Sequence, residues 1–489
     1  MKKLNDILQR AGVIDIIGNA DIEISMLCMD SREVSAHSLY IAVKGGISDG
    51  HNYIQNAISE GAVGVVCEML PDMLETGITY VHVKNSRMAL GHIASNFYDH
   101  PSSRIKLIGV TGTNGKTTVA TCLYELFTRM GYSCGLISTI RNKINNDEFT
   151  ATHTTPDAIS LNRLLYQMVE KKCTYCFMEV SSHALDQGRT EGIEFRGAIF
   201  TNITHDHLDY HHTFQNYILA KKKLFDNLTP QSFALINVDD RHATVMVQNT
   251  KAHVYSYGLS SAADFKTRII EDTMLGLHIN MDGNDLYSTF VGKFNAYNLL
   301  AIYACGVIFG NGKQETAIAI SALNPPDGRF QILQGVNGII AVVDYAHTPD
   351  ALENVLQTLR SIVKNQQKII IVVGCGGNRD KAKRPLMGKV AVRYADKCIF
   401  TSDNPRDEDP LTIINEMKSE LTSTDMLKVL SIVDRKEAIH SAAAMAGNND
   451  VILIAGKGHE KYQESAGNKV EFDDWLEIKN AFELIKEKI

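Results

Sequence analysis

A chain of 489 residues is too long for one ordinary hydrophobic core, and at about 100–200 residues per domain three domains are expected. Hydrophobic residues make up 44% and charged residues 21%, and no apolar run approaches the roughly 18–20 residues of a membrane span, so a cytoplasmic globular protein without signal peptide or membrane insertion is expected. The formal net charge of −7 argues against a nucleic-acid binder, which needs a basic face; anionic substrates must instead be met by individual Lys, Arg and helix termini.

In chain order, residues 1–100 mix short strands (Leu39 to Val43, Gly64 to Cys67, Thr79 to Val83) with helical stretches such as Tyr53 to Glu60. Tyr98-Asp99-His100-Pro101-Ser102-Ser103 then reads as a linker. Over residues 101–330 strands and helices alternate: strand Ile105 to Val110, helix Thr117 to Met130 stopped by Gly131, strands Cys134 to Ser138, Tyr175 to Val180 and Ala198 to Asn202, helix Phe214 to Asp226 and strand Phe233 to Asn237. That rhythm predicts a parallel sheet covered on both faces. Shorter strands over Ala252 to Phe290 and a helix Asn295 to Gly310 follow, and Asn324-Pro325-Pro326-Asp327-Gly328-Arg329 marks a second boundary. Residues 331–489 repeat the α/β rhythm with strands Ile339 to Asp344, Lys368 to Gly374, Lys397 to Ser402, Val429 to Val433 and Val451 to Ala455. Nine cysteines are scattered without a disulfide frame. Cys173 and Cys176 form one C-x-x-C, but in a strand these two point to opposite faces, which favours a structural role.

The most informative stretch is Gly109-Val-Thr-Gly-Thr-Asn-Gly-Lys-Thr-Thr118, where an apolar strand runs into a glycine-rich loop that opens a helix. Backbone N–H groups at Gly112 and Gly115 and the helix N-terminus favour an anion, Lys116 can reach terminal phosphates, and the Thr117 hydroxyl can ligate Mg²⁺; the ligand expected is Mg-ATP. The spacing departs from the standard phosphate loop, because the upstream glycine falls one place early. Glu179 ends the strand Tyr175 to Val180, where a carboxylate beside a phosphate-loop strand holds a metal or its water. Thr204-His205-Asp206-His207-Leu208-Asp209-Tyr210-His211-His212 is dense enough in His and Asp to suggest a metal, although not a closed structural zinc site. By pattern alone, Lys221-Lys222-Lys223 on the next helix reads as a solvated basic face. Gly374-Cys375-Gly376-Gly377 follows a strand but lacks the full G-x-G-x-x-G and an acidic ribose partner, so a dinucleotide is not expected.

Taken together, Thr111 to Thr118, Met178-Glu-Val-Ser-Ser-His183, Asp206-His-Leu-Asp-Tyr-His211, Asp344-Tyr-Ala-His-Thr-Pro-Asp350 and Gly456-Lys-Gly-His-Glu460 resemble the Mur ligase family over essentially the whole chain. Asp30-Ser31-Arg32-Glu33 and Asp403-Asn404-Pro405-Arg406 narrow the resemblance to the branch that adds the third residue of the peptidoglycan stem peptide. The resemblance implies an N-terminal mixed α/β domain for the uridine nucleotide (1–100), a central phosphate-loop ATPase with a parallel sheet (101–330) and a C-terminal Rossmann-like domain that brings the amino acid (331–489). It implies a monomer that phosphorylates the free carboxylate of a UDP-N-acetylmuramoyl-dipeptide with ATP, then lets an amine attack the acyl phosphate. Lys116, Thr117 with Mg²⁺, Glu179 and His207 would supply the positioning and charge neutralisation this needs.

The resemblance further implies a carbamylated lysine at Lys221, turning a cation into a carboxylate-like Mg²⁺ ligand beside Thr117, Glu179 and His207. For ATP it implies Gly112, Thr113, Asn114, Gly115, Lys116, Thr117, Thr118, Asn295, Arg329 and Asp344. For the UDP-dipeptide it implies Ser31, Thr154, Thr155, Ser181, Gln187 and Arg189, with Met29 and the loop from Gly46 to Ser48 near the uridine; His153 stands where better-known members carry Asn. For the incoming amino acid it implies Arg379, Asp403, Asn404, Pro405, Arg406, Gly456 and Glu460. Arg406 offers a planar fork for a carboxylate, and the distal end of meso-diaminopimelate carries one where lysine has none, so meso-diaminopimelate is expected. Three alternatives stay open: the same reaction with L-lysine, another Mur or folylpolyglutamate-type ligase, and a phosphate-loop switch that turns over ATP without an amine.

Overall fold

The computed structural model describes residues 1–46, 48–363 and 366–487. The loop from Gly46 to Ser48 therefore falls partly outside the described residues, at Ile47.

Three large sheets succeed one another along the chain. The first has five strands in the order Val13–Ile17, Thr79–Val83, Ala62–Cys67, Ser38–Ile41 and Met26–Cys28, parallel except for its first member. Its inner strands are nearly continuous apolar runs, as a parallel sheet covered on both faces requires. Two helices that sequence reading did not single out, Ser86–Phe97 and Ala158–Glu170, pack together between this sheet and the next. Each is started by a short polar cap, Asn85 and Asp157, whose side chain accepts a first-turn N–H.

The second sheet has eleven strands, and its interior is parallel: Cys134–Ile137, Tyr175–Glu179, Lys106–Thr111, Gly197–Phe200, Phe233–Asn237, His253–Gly258 and Phe265–Thr273. Antiparallel hairpins extend both edges, Arg141–Ile144 with Asp147–Thr150 and Gly276–Met281 with Asn284–Ser288. The second hairpin alternates buried and half-buried residues along Gly276–Met281, the pattern of a strand with one wetter face. Helix Lys293–Ile308 is apolar almost all round because it packs on both the sheet and helix Lys116–Arg129.

The expected linker is packed rather than loose. Pro101–Arg104 forms a 3₁₀ turn with Pro101 and Ser102 buried, and the Ser102 hydroxyl accepts the Glu194 N–H at 3.0 Å. The third sheet runs Gln331–Gln334, Ile340–Asp344, Val451–Ala455, Ile369–Val373, Lys397–Phe400 and Val429–Ser431, parallel except for the first edge strand. Helices cover both faces over two apolar clusters. The carboxyl ends of the second and third sheets' strands deliver their loops to one shared cleft, where such sheets bind ligands.

Candidate active site

A cavity of about 1070 Å³ opens between the second and third sheets. Its floor is the loop between strand Lys106–Thr111 and helix Lys116–Arg129. Gly112 and Gly115 hold φ of +153° and +87°, and a Cβ on either would fall 1.9 Å from Thr201 Oγ1 or 2.6 Å from Asn298 Oδ1. Only glycine lets the loop lie this close to its neighbours. Lys116 Nζ turns over the loop and donates to the Gly112 and Thr113 carbonyls, both at 2.8 Å. Burial pushes its pKa down, with the Glu179 carboxylate opposing.

Glu179 sits at the tip of the neighbouring strand, paired in register with Val110, and is fully buried. Its Oε2 accepts the Thr117 hydroxyl at 2.9 Å and its Oε1 accepts the Thr139 N–H at 2.8 Å. Arg329 Nη2 donates to Thr117 Oγ1 at 2.9 Å, and the guanidinium lies over the Tyr345 ring. Thr117, Glu179 and Arg329, expected on separate grounds, are thus in direct contact. Thr113 and Thr118 line the same cavity, and Asn114 joins them through its backbone N–H to Asn202 Oδ1.

The lysine run is not a solvated face, which corrects the pattern reading. Lys221 is 1% exposed and Lys222 4%. Lys221 Nζ donates to the Gly112 carbonyl at 2.8 Å and lies over the Tyr217 ring, so the lysine expected from the resemblance ends at the phosphate loop itself. Burial, with Lys116 adding, pushes its pKa well below that of a free lysine. Lys222 pairs with Asp226, four residues on, and only Lys223 reaches the surface, opposite Asp186.

The His and Asp cluster is divided by the fold. His207, held at φ +54°, presents its ring to the cavity, 42% exposed, with Asp206 Oδ2 3.4 Å from Nε2. Partial desolvation in the cavity lowers its pKa, outweighing the upward pull of Asp206. His205 stacks on Phe214, and His211 is buried against Ser182 Oγ at 3.0 Å, so neither faces the cavity. Among the described residues no three His, Cys, Asp or Glu side chains are gathered as a ready metal cage.

Of the residues expected for the UDP-dipeptide, His153, Thr154, Thr155, Ser181 and Arg189 line the cavity. Arg189 is fixed by the Thr155 carbonyl at 2.8 Å and by Gln187 Oε1 at 2.7 Å, while Ser181 caps helix Ser182–Asp186. Met29 and Ser31 lie apart, beyond strand Met26–Cys28 of the first sheet. Asn295 bonds the Val291 carbonyl and Asn298, and the buried Asp344 carboxylate accepts the Phe330 and Ala346 N–H groups at 2.7 and 2.8 Å. Burial raises Asp344, with Arg329 opposing.

Across the cavity the third sheet contributes Arg379, Asp403, Asn404, Arg406, Gly456 and Glu460. Asn404 donates to Glu460 Oε2 at 2.8 Å and accepts from the fully buried Lys457 at 3.0 Å. Arg406 sits at φ +51° and donates to the Gly377 carbonyl at 2.7 Å, so Gly374 to Gly377 is a packing partner of the Asp403 to Arg406 segment and not a dinucleotide turn. Pro405 shapes that contact from outside the cavity lining.

Sequence reasoning missed Asp350, Thr139 and Lys383. Asp350 closes the cavity from the third sheet's side, accepting from Asn114 Nδ2 at 2.8 Å and Thr204 Oγ1 at 3.0 Å. It stood inside a quoted motif, and that was the only signal. Lys383 lines the cavity and donates to the His347 carbonyl at 3.0 Å.

Three family models match the chain. Residues 23–98 match the Mur ligase family catalytic domain, 110–306 the Mur ligase middle domain and 328–458 the Mur ligase glutamate ligase domain. The chain is 52% identical to the UDP-N-acetylmuramoyl-L-alanyl-D-glutamate--2,6-diaminopimelate ligase of Cytophaga hutchinsonii, over 99% of both chains. A solved structure of a ligase with that same name superposes with a TM-score of 0.68 at 31% identity, covering 98% of this chain and 99% of its own. The MurF ligase of Thermotoga maritima in complex with ADP shares the fold, with a TM-score of 0.65 at 18% identity over 95% of this chain and 98% of its own. With full-length identity on this scale, the chain belongs to the Mur ligase family.

Proposed function

We infer that the chain is an ATP-dependent ligase that joins meso-diaminopimelate to UDP-N-acetylmuramoyl-L-alanyl-D-glutamate, a step of peptidoglycan precursor synthesis. The observation that carries the activity is the 52% identity over 99% of both chains to a relative named for it. In support, one cavity holds a phosphate loop, a buried carboxylate and two arginines that face it from the opposite sheet.

We assign residues 1–100 to the uridine nucleotide, 101–330 to ATP and 331–489 to the amino acid. The loop from Gly112 to Thr118 cradles the phosphates, and Lys116 swings from its loop carbonyls to the phosphoryl group in transfer, with Arg329 beside it. Asn295 and Asp344 border the nucleotide. Thr117 and Glu179 offer hard oxygen donors 2.9 Å apart, which suit Mg²⁺, and His207 lines the same cavity. Bound there, Mg²⁺ would neutralise charge on the phosphates. Lys221 fits the remaining position: a buried lysine with a lowered pKa supplies the neutral amine whose nitrogen bonds CO₂ and releases a proton to give a carbamate.

Thr154, Thr155, Ser181, Gln187, Arg189 and His153 orient the acceptor carboxylate, with Met29 and Ser31 at the uridine end. Phosphoryl transfer is then mainly a matter of alignment. Arg379, Asp403, Asn404, Arg406, Gly456 and Glu460 hold diaminopimelate so that its amine meets the activated carbonyl. The test is phosphate release and product mass with ATP alone, with the UDP-linked dipeptide, and with that acceptor plus diaminopimelate or L-lysine. Product only with acceptor and diaminopimelate together is expected. ATP turnover indifferent to both would mark a switch protein instead, and product with lysine alone would reassign the amino acid.

A further inference from the structure

Beneath the amino-acid end of the cavity lies an arginine that no motif singled out. Arg384, on helix Lys383–Tyr394, is fully buried and does not reach the cavity. Its two terminal nitrogens grip Glu408 in parallel, Nη1 to Oε2 and Nη2 to Oε1, each at 2.9 Å. Nη2 also donates to the Gly376 carbonyl at 3.1 Å, and Nη1 to Glu416 Oε2. One guanidinium therefore ties together the loop after strand Ile369–Val373, the segment after strand Lys397–Phe400 and helix Pro410–Lys418.

Those first two segments are the ones that carry Arg379 and Arg406. They are zipped to each other above the ion pair: Glu408 Oε1 accepts the Asn378 N–H at 2.6 Å, Asn378 Nδ2 donates to Asp407 at 2.6 Å, and the Gly377 N–H donates to the Asn404 carbonyl at 2.9 Å. Backbones touch at Gly377, where a Cβ would fall 1.9 Å from the Pro405 carbonyl oxygen. Glu408 is thus linked by hydrogen bonds and backbone contact to the segments that carry both arginines.

Packing alone does not call for a charge here. Well-packed apolar side chains of similar volume often replace a buried ion pair at no loss of stability, and the Arg384 Nε has no hydrogen-bond partner among the described residues. What an apolar side chain cannot do is fix three segments at set angles, as a planar fork does.

We propose that Arg384, acting through Glu408, is a positioning residue that sets the spacing of Arg379 and Arg406 and thereby the choice of amino acid. The proposal rests on the amino-acid reading of this end of the cavity. A shift of about 1 Å in a positioning group is enough for large losses in rate, so the effect is measurable although neither residue meets substrate.

The experiment compares wild type, Arg384→Met, Arg384→Lys and Glu408→Gln, reading KM for ATP and kcat/KM for diaminopimelate and for L-lysine. The expected result is a rise in KM for diaminopimelate of roughly tenfold or more, a fall in the diaminopimelate-to-lysine ratio, and a KM for ATP within about twofold of wild type. Arg384→Lys should not restore the ratio, since an ammonium cannot grip both Glu408 oxygens. If Arg384→Met fails to fold, Glu408→Gln decides, because it keeps the volume and the acceptor for Asn378. Folded variants with an unchanged ratio, or losses that fall equally on both amino acids, would overturn the proposal. A wild type that uses neither amino acid would instead overturn the functional reading beneath it.

Discussion

The two ends of the cavity are built differently. The end we assign to the phosphates is mostly local: one strand, one loop and one helix within residues 106–129 supply the cradle, and groups such as Glu179, Lys221 and Arg329 converge on it from elsewhere. The end we assign to the amino acid is assembled from loops near residues 376–379, 403–408 and 456–460, braced by Lys457, Arg384 and the hairpin Tyr462–Ser465 with Asn468–Glu471. A site concentrated in one loop loses everything with one side chain. A site shared among loops is re-tuned, because each loop can shift while the others hold.

That contrast fixes the order of expected effects. Lys116→Ala should lower ligation by at least ~100-fold with every amino acid alike and leave the fold intact, since it removes one charge aimed at the transferring phosphoryl group. Ligation rates with saturating diaminopimelate and lysine check it; a near wild-type rate contradicts the phosphate cradle. Lys221→Ala should lose about as much, and a short carboxylate supplied in solution should recover part of it, whereas Lys223→Ala, whose partner Asp186 is a surface carboxylate, should stay within about twofold. Equal small losses in both would remove Lys221 from the machinery.

At the other end Arg406→Ala should cut kcat/KM for diaminopimelate by at least ~30-fold, the cost of removing one partner of a hydrogen-bonded charge pair with the substrate, while lysine gains less than diaminopimelate loses. Deleting the arginine removes repulsion toward lysine's distal ammonium without building an acceptor for it. The smallest effect expected is on stability. Arg384 and then the Asn378 N–H hold the Glu408 carboxyl down at about 2, from an ordinary 4.5. The unfolded chain therefore takes up the proton first, so this stabilisation is complete above about pH 4.5 and is lost as pH falls toward 2. The gap in urea midpoint between wild type and Glu408→Gln should narrow between pH 6 and about pH 3; a constant gap would mean that the pair contributes through shape alone.

The same contrast explains what could be read from the sequence. Strand, loop, lysine and helix at Gly109 to Thr118 occur in the order that phosphate binding needs, so that region was legible from residue types alone. So were the parallel strands of the third sheet, whose apolar runs carry the signal of two-sided burial. The amino-acid end was legible only through resemblance, because nothing local in Asp403 to Arg406 says that residue 460 will meet Asn404. Lys221 shows the limit most plainly. Three consecutive lysines on a helix look solvated, and the burial of two of them depends on where the helix docks, which is a tertiary fact. Arg384 gave no signal because its two carboxylate partners stand 24 and 32 residues away. The antiparallel hairpin Arg141–Ile144 with Asp147–Thr150, at one edge of the second sheet, was missed for a related reason: its strands are short, and the outer one is exposed along its length like a loop.

In the reaction proposed, the cavity passes a phosphoryl group from ATP to one substrate's carboxylate before the amine arrives. The direct measurement labels the acceptor's free carboxylates with heavy oxygen, runs the complete reaction with ATP and diaminopimelate, and weighs the phosphate released. One heavy oxygen per phosphate is expected, because the acyl phosphate leaves with an oxygen of the carboxylate. Unlabelled phosphate accompanying full product formation would contradict it.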